Sequence, residues 1–196
     1  MKKLISLVVM ELAITWFLSL ALQAQTVAEV INRGDTVLAL KLIKGGASPN
    51  LPDANGTTPL MTACRSGNMP IVNFLLDNGA TADQPRSPKG RTALMITCAY
   101  YGGITITKLL IAHGADVNAT ANDGTTALML AAKNAKLDVV EYLLAKGANA
   151  LKKDATGSTA LDYAQKADPA VFGSAGYKDC QLNKAAVIAR LIPISH

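Results

Sequence analysis

Two histidines, one tryptophan and three cysteines among 196 residues leave little material for a metal centre, an aromatic surface or a disulfide framework. Histidine is scarcest where it would matter, since His196 is the last residue and His113 stands alone. Charge is sparse as well: 17% of residues are Asp, Glu, Lys or Arg, with a formal excess of +5. That excess is modest beside the many phosphate contacts that hold a nucleic acid, and no nucleic-acid partner is expected. No P-loop, His-Glu-x-x-His or Cys-x-x-Cys occurs, so no cofactor and no metal are expected. What is abundant is apolar: 50% of the chain is hydrophobic, which excludes a disordered polymer and supplies a core for one or two domains.

The first apolar run must be set aside before the fold is read. Met1-Lys2-Lys3 is a short basic start, and Leu4 to Leu22 is apolar apart from Glu11 and a few small polar residues. Ser19-Leu20-Ala21 has the small-x-small form of a cleavage site, with Ala24 as a second end point. Residues 1–24 read as a secretory signal peptide, which places the mature chain in the periplasm or outside the cell. A mid-membrane charge such as Glu11 costs about 2.5–3.5 kcal/mol on insertion scales, weakening insertion without abolishing it. The alternative is an uncleaved membrane anchor, because 19 apolar residues just span a bilayer. The first cysteine is Cys64, so no lipid-bearing thiol lies near the cleavage region. Cleavage removes Lys2, Lys3, Glu11 and Trp16, lowers the charge from +5 to +4 and leaves no membrane contact.

The remainder repeats. Gly56-Thr57-Thr58-Pro59-Leu60-Met61 aligns with Gly90-Arg91-Thr92-Ala93-Leu94-Met95, Gly124-Thr125-Thr126-Ala127-Leu128-Met129 and Gly157-Ser158-Thr159-Ala160-Leu161-Asp162, at intervals of 34, 34 and 33 residues. A second marker, Gly-Ala, recurs at Gly46, Gly79, Gly114 and Gly147, at intervals of 33, 35 and 33. Such a period signals stacked supersecondary units. Thr58, Thr92, Thr126 and Thr159 fit helix N-caps, and Pro59 fits the first helical position. Ile71, Val72, Leu75 and Leu76, like Val139, Val140, Leu143 and Leu144, place four branched side chains on one face of a second helix. The Gly-Ala glycines fall where the chain leaves that helix and needs positive φ. A single pair of short helices cannot bury its apolar face, whereas stacked pairs can.

These residues resemble ankyrin repeats. Asp53-Ala54-Asn55-Gly56-Thr57-Thr58-Pro59-Leu60-Met61-Thr62-Ala63-Cys64, running on to Asn78-Gly79-Ala80, is similar to one complete unit, and Gly114-Ala115-Asp116-Val117-Asn118 to the unit ending and turn. The resemblance covers roughly residues 27–192 and implies an all-α fold, an ankyrin-repeat solenoid of stacked helix–turn–helix units with hairpin-like turns. The expected order is an N-terminal capping repeat over 25–52, three full repeats over 53–153, and a C-terminal capping repeat over 154–196 with an insert at about 168–181. The family's usual His after Thr-Pro-Leu is replaced by Met61, Met95 and Met129, then by Asp162, so thioether packing takes over a polar role. One extra residue falls near Tyr100–Gly103.

Cys64 and Cys98 hold equivalent places, about 10 Å apart if neighbouring helices touch, beyond the roughly 7 Å Cα limit for a disulfide. Both read as small buried residues, and Cys180 belongs to the insert. His113 reads as a surface cap at a helix end. The resemblance further implies a monomeric, non-enzymatic module that binds a protein partner along turn tips and first-helix ends. By position those are Arg65, Lys89, Arg91, Tyr100, Tyr101, Asn122, Lys133, Asn134 and Lys153, with two tyrosines among cations pointing to an acidic partner. Related exported proteins serve as inhibitors, immunity factors or accessory proteins. The alternative is an enzyme whose site is built by the insert and Asp162.

Overall fold

The computed structural model describes residues 26–84, 89–100, 103–167 and 184–192. The N-terminal apolar segment, Tyr101, and the insert with Cys180 lie outside the described residues. Within them the chain is helical and without strands: α1 (Val27–Asn32), α2 (Thr36–Lys44), α3 (Pro59–Ser66), α4 (Met69–Asp77), α5 (Ala93–Ala99), α6 (Ile104–Ala112), α7 (Ala127–Lys133), α8 (Leu137–Ala145), α9 (Ala160–Gln165) and α10, residues 184–191.

Local chemistry starts each first helix. The hydroxyls of Thr58, Thr92, Thr126 and Thr159 accept the backbone N–H three residues on, at 3.2–3.4 Å. Thr26 does the same for α1, where Glu29 completes a capping box. Met129 takes the partner role of such a box with sulfur, its Sδ accepting the Thr126 N–H at 3.4 Å. Asp162 takes it with a carboxylate. Gly46, Gly79, Gly114 and Gly147 all carry φ between 84° and 93°, where the second helices end.

These helices are too short to be stable alone, so packing must hold them. The first helices form one layer, α1 on α3, α3 on α5, α5 on α7 and α7 on α9, and each of the first four also packs on its own second helix. The second helices α4, α6 and α8 touch one another more sparsely. Its floor is repetitive. Leu60, Leu94 and Leu128 are buried in turn, as are Met61, Met95 and Met129, and Cys64, Cys98 and Ala132. Each large side chain so buried contributes about 1.5–3 kcal/mol. Val187 and Leu191 of α10 are buried at the far end, while Ile192 is 43% exposed.

A second device joins the repeats at the loops that follow the second helices. Asn50 Nδ2 donates to Gly79 O at 2.8 Å, and Asn50 Oδ1 accepts the Thr81 N–H at 2.8 Å. Asn118 repeats both bonds two places further along, to Gly147 O at 2.9 Å and from the Asn149 N–H at 2.8 Å. The middle position is Asp83, which accepts the Asp116 N–H at 3.2 Å but has no N–H to offer Gly114. Asp83→Asn is therefore expected to raise stability by about 1 kcal/mol, read as a higher urea midpoint. A lower midpoint would show that the carboxylate is preferred there.

Candidate functional site

The turn tips that precede α3, α7 and α9 are closed the same way. Asp53 N–H donates to Thr57 O at 2.9 Å, Ala121 to Thr125 at 2.9 Å and Asp154 to Ser158 at 3.0 Å. Aspartates pin the tips from inside. Asp53 Oδ1 accepts the N–H groups of Asn55 and Thr57, and Asp154 Oδ1 accepts those of Thr156 and Ser158 together with the Thr156 hydroxyl. Neighbouring tips are bonded directly: the Asn122 N–H donates to Lys89 O at 3.0 Å, and the Ala155 N–H to Asp123 O at 2.8 Å. Among the described residues these bonds tie each tip internally and to its neighbour.

Along the row of tips Lys89, Asn122 and Lys153 are exposed and Arg91 is half-buried. Arg65 is exposed at the end of α3, and its guanidinium donates to Asn32 Oδ1 of the capping repeat at 2.7 Å. Tyr100, 46% exposed, caps the end of α5 and lines a cleft of about 360 Å³ with Ile31, Asn32, Thr62, Arg65 and Ser66. A second cleft of about 340 Å³ lies at the other end of the face, between Lys133, Asp154, Thr156, Ser158, Tyr163 and Lys166. Arg65 and Tyr100 thus meet in one cleft, while Lys133 belongs to the other.

Asn134 is half-buried at the end of α7 and bonds to the preceding repeat. Its Nδ2 donates to Leu130 O, Cys98 O and Ala99 O at 2.8, 3.2 and 3.4 Å. Lys136 Nζ donates to Thr97 O at 2.9 Å and also to Tyr100 O. Together they satisfy the last carbonyls of α5 from the following repeat. Helix α5 ends at Tyr100 with φ −122°, and these side chains of the next repeat reach its free carbonyls. Burial pulls the Lys136 ammonium below its ordinary pKa. Asn134 is therefore a join between repeats.

Three carboxylates on this side are held ionised. The Thr125 hydroxyl lowers Asp123, the Thr156 and Tyr163 hydroxyls lower Asp154, and the Thr159 N–H and hydroxyl lower Asp162. Asp162 Oδ2 accepts both Thr159 groups at 2.7 Å, so it serves as a helix cap. Each of these aspartates binds its proton less readily folded than unfolded. Their stabilisation is present above the ordinary carboxylate range near pH 4 and is lost as pH falls through the lower folded values. Urea midpoints should fall from pH 5 to pH 2, and Asp154→Asn should flatten that fall. Cys64 and Cys98 are fully buried, and burial pushes both thiols up to about 12, leaving neutral packing groups.

Comparison with known proteins gives the same account of the chain. A family model for ankyrin repeats, in three copies, matches residues 27–121 and 96–172. The chain is 35% identical over 123 residues to an ankyrin repeat-containing protein of Treponema pallidum, covering 63% of this chain and 41% of that one. It is 37% identical over 130 residues to an ankyrin repeat protein of fowlpox virus, covering 63% and 38%. It is 34% identical over 167 residues to the potassium channel AKT1 of Arabidopsis thaliana, covering 68% and 19%. The chain thus spans about two fifths or less of the length of these relatives, which come from a bacterium, a virus and a plant. Capped helix pairs stacked at a 33–35-residue period, hairpin tips bonded edge to edge and a family model that spans them all lead to one conclusion: the chain belongs to the ankyrin-repeat family.

Proposed function

We propose that this chain is an exported scaffold that binds a protein partner on its first-helix and turn-tip face, as an inhibitor, immunity factor or accessory protein of the cell envelope. Ankyrin repeats are in general protein-interaction modules, and the chain is read as a binding scaffold and not as an enzyme. The observation that carries the reading is the contrast between the two sides. On the second-helix side the lysines Lys108 and Lys146 both lie 5.6 Å from the ring centroid of Tyr142, so that aromatic is already covered. On the first-helix side Tyr100, Lys133 and Lys153 are exposed over tips that are tied internally and to their neighbours. A surface tied in this way loses little freedom on binding. Export rests on the pattern of residues 1–24.

A photocrosslinking residue at Tyr100 tests the reading against one at Thr105, which is exposed on α6. In cells of the source organism, a protein adduct is expected from Tyr100 and not from Thr105. Adducts from Thr105 alone would place the interface on the other layer.

A further inference from the structure

Counted from each capping threonine, the seventh residue is Arg33 after Thr26, Arg65 after Thr58, Ala99 after Thr92, Lys133 after Thr126 and Lys166 after Thr159. Four of the five are cations, all exposed, each at the C-terminal end of a first helix, where the helix dipole favours positive charge. Because successive first helices pack side by side, these ends form a row at roughly 10 Å intervals. The acidic residues beside the row are turned to internal work. Asp154 Oδ2 accepts the Tyr163 hydroxyl at 2.7 Å and its Oδ1 serves the turn, while Asp162 caps α9. The row presents positive charge at a fixed repeat, with the ionised Asp154 and Asp162 beside its far end.

We propose that this row receives an extended acidic segment of the partner, with carboxylates in register with Arg33, Arg65, Lys133 and Lys166. The proposal rests on the protein-binding reading above and specifies the chemistry of its ligand. A segment in the extended polyproline II form advances about 3.1 Å per residue and turns once in three residues, so every third side chain returns to the same face and meets the next repeat. Acidic residues three apart face the pair Arg33 and Arg65, and a second such pair faces Lys133 and Lys166. Between the pairs the row is broken at Ala99. There the exposed ring of Tyr100, next to Ala99, accepts an apolar side chain in place of a carboxylate. At the far end Lys133 and Lys166 flank the other cleft, where Lys166 Nζ donates to Ser158 Oγ at 3.3 Å.

The test uses the full mature chain and two fluorescent peptides of about 13 residues, the length that spans four repeat steps at ~3.1 Å per residue. One has glutamate in the first, fourth, tenth and last places, leucine in the middle, and serine and threonine elsewhere. The other has the same composition with its four glutamates adjacent. The spaced arrangement reads the same in both directions, so peptide polarity is immaterial. Anisotropy at physiological salt should show the spaced peptide binding about tenfold more tightly, on the order expected for several exposed ion pairs acting together. Lys133→Glu with Lys166→Glu should remove that preference. Lys108→Glu with Lys146→Glu, an equal change of net charge on the second-helix side, should leave it within about twofold. Equal affinity for both peptides, binding of neither, or equal loss from both double variants would overturn the proposal. A protein adduct from Tyr100 with isomer-blind peptides would overturn the register and leave the protein-binding reading standing. Register-selective peptides without an adduct would do the reverse.

Discussion

Replacing Leu94 with alanine is expected to remove about 3–5 kcal/mol of stability. Leu94 is fully buried in α5, and α5 packs on α3 before it and α7 after it. The cavity therefore opens at the middle of the row, where two neighbour interfaces share one layer. A domain of this size holds only about 5–15 kcal/mol in total, so the loss is a large fraction of it. In a stack stabilised by nearest neighbours it also has a characteristic form. The single urea transition of the wild-type chain should broaden or divide, because the units on either side of α5 no longer fold as one. Val37→Ala is the control, since Val37 is 64% exposed and its change should stay within about 0.5 kcal/mol. A single sharp transition in Leu94→Ala, shifted by less than ~1 kcal/mol, would contradict the coupling of α5 to both neighbours.

The second large effect concerns the tips. Gly124 has φ +77°, and a Cβ there would lie 3.0 Å from Asp154 Cα and 3.2 Å from Ala155 N. Both are backbone atoms of the next tip, so nothing can swing aside. Gly147 has φ +85° and open space around its missing Cβ. Gly147→Ala should then show only the left-handed strain, about 1–2 kcal/mol. Gly124→Ala should carry that strain and also push apart the tips joined by the 2.8 Å bond from the Ala155 N–H to Asp123 O. A total near 3 kcal/mol is expected, since the lost hydrogen bond between tips adds about 1 kcal/mol. Equal losses at the two glycines would mean that contact between tips contributes nothing. Amide exchange at Ala155 should rise in Gly124→Ala and stay slow in Gly147→Ala.

The sequence shows the fold because its signals are local. A threonine cap, a proline at the first helical place, a branched stripe and a positive-φ glycine each act within one turn of chain, and here they recur at a common period. Methionine in place of the family's histidine was legible as packing, although Met129 sulfur as a bond acceptor was not. What could not be read were bonds to the neighbouring repeat. Asn50, Asn118, Asn134 and Lys136 act on residues 29 to 39 positions away. Position at a helix end put Asn134 on the binding face, but the direction of its amide depends on how α5 ends. Arg33 and Lys166 lie in the two capping repeats, and only a count from each capping threonine aligns them with Arg65 and Lys133. The signal at that offset was present throughout.

The central claim is that a row of helix pairs meets another protein with its first-helix ends and tips. Amide hydrogen exchange of the chain, alone and with the partner recovered through the Tyr100 adduct, measures this directly. Added protection is expected at the tips around residues 53–57, 121–126 and 154–159 and at the ends of α3, α5 and α7. Protection confined to α4, α6 and α8, with the tips exchanging as before, would contradict it.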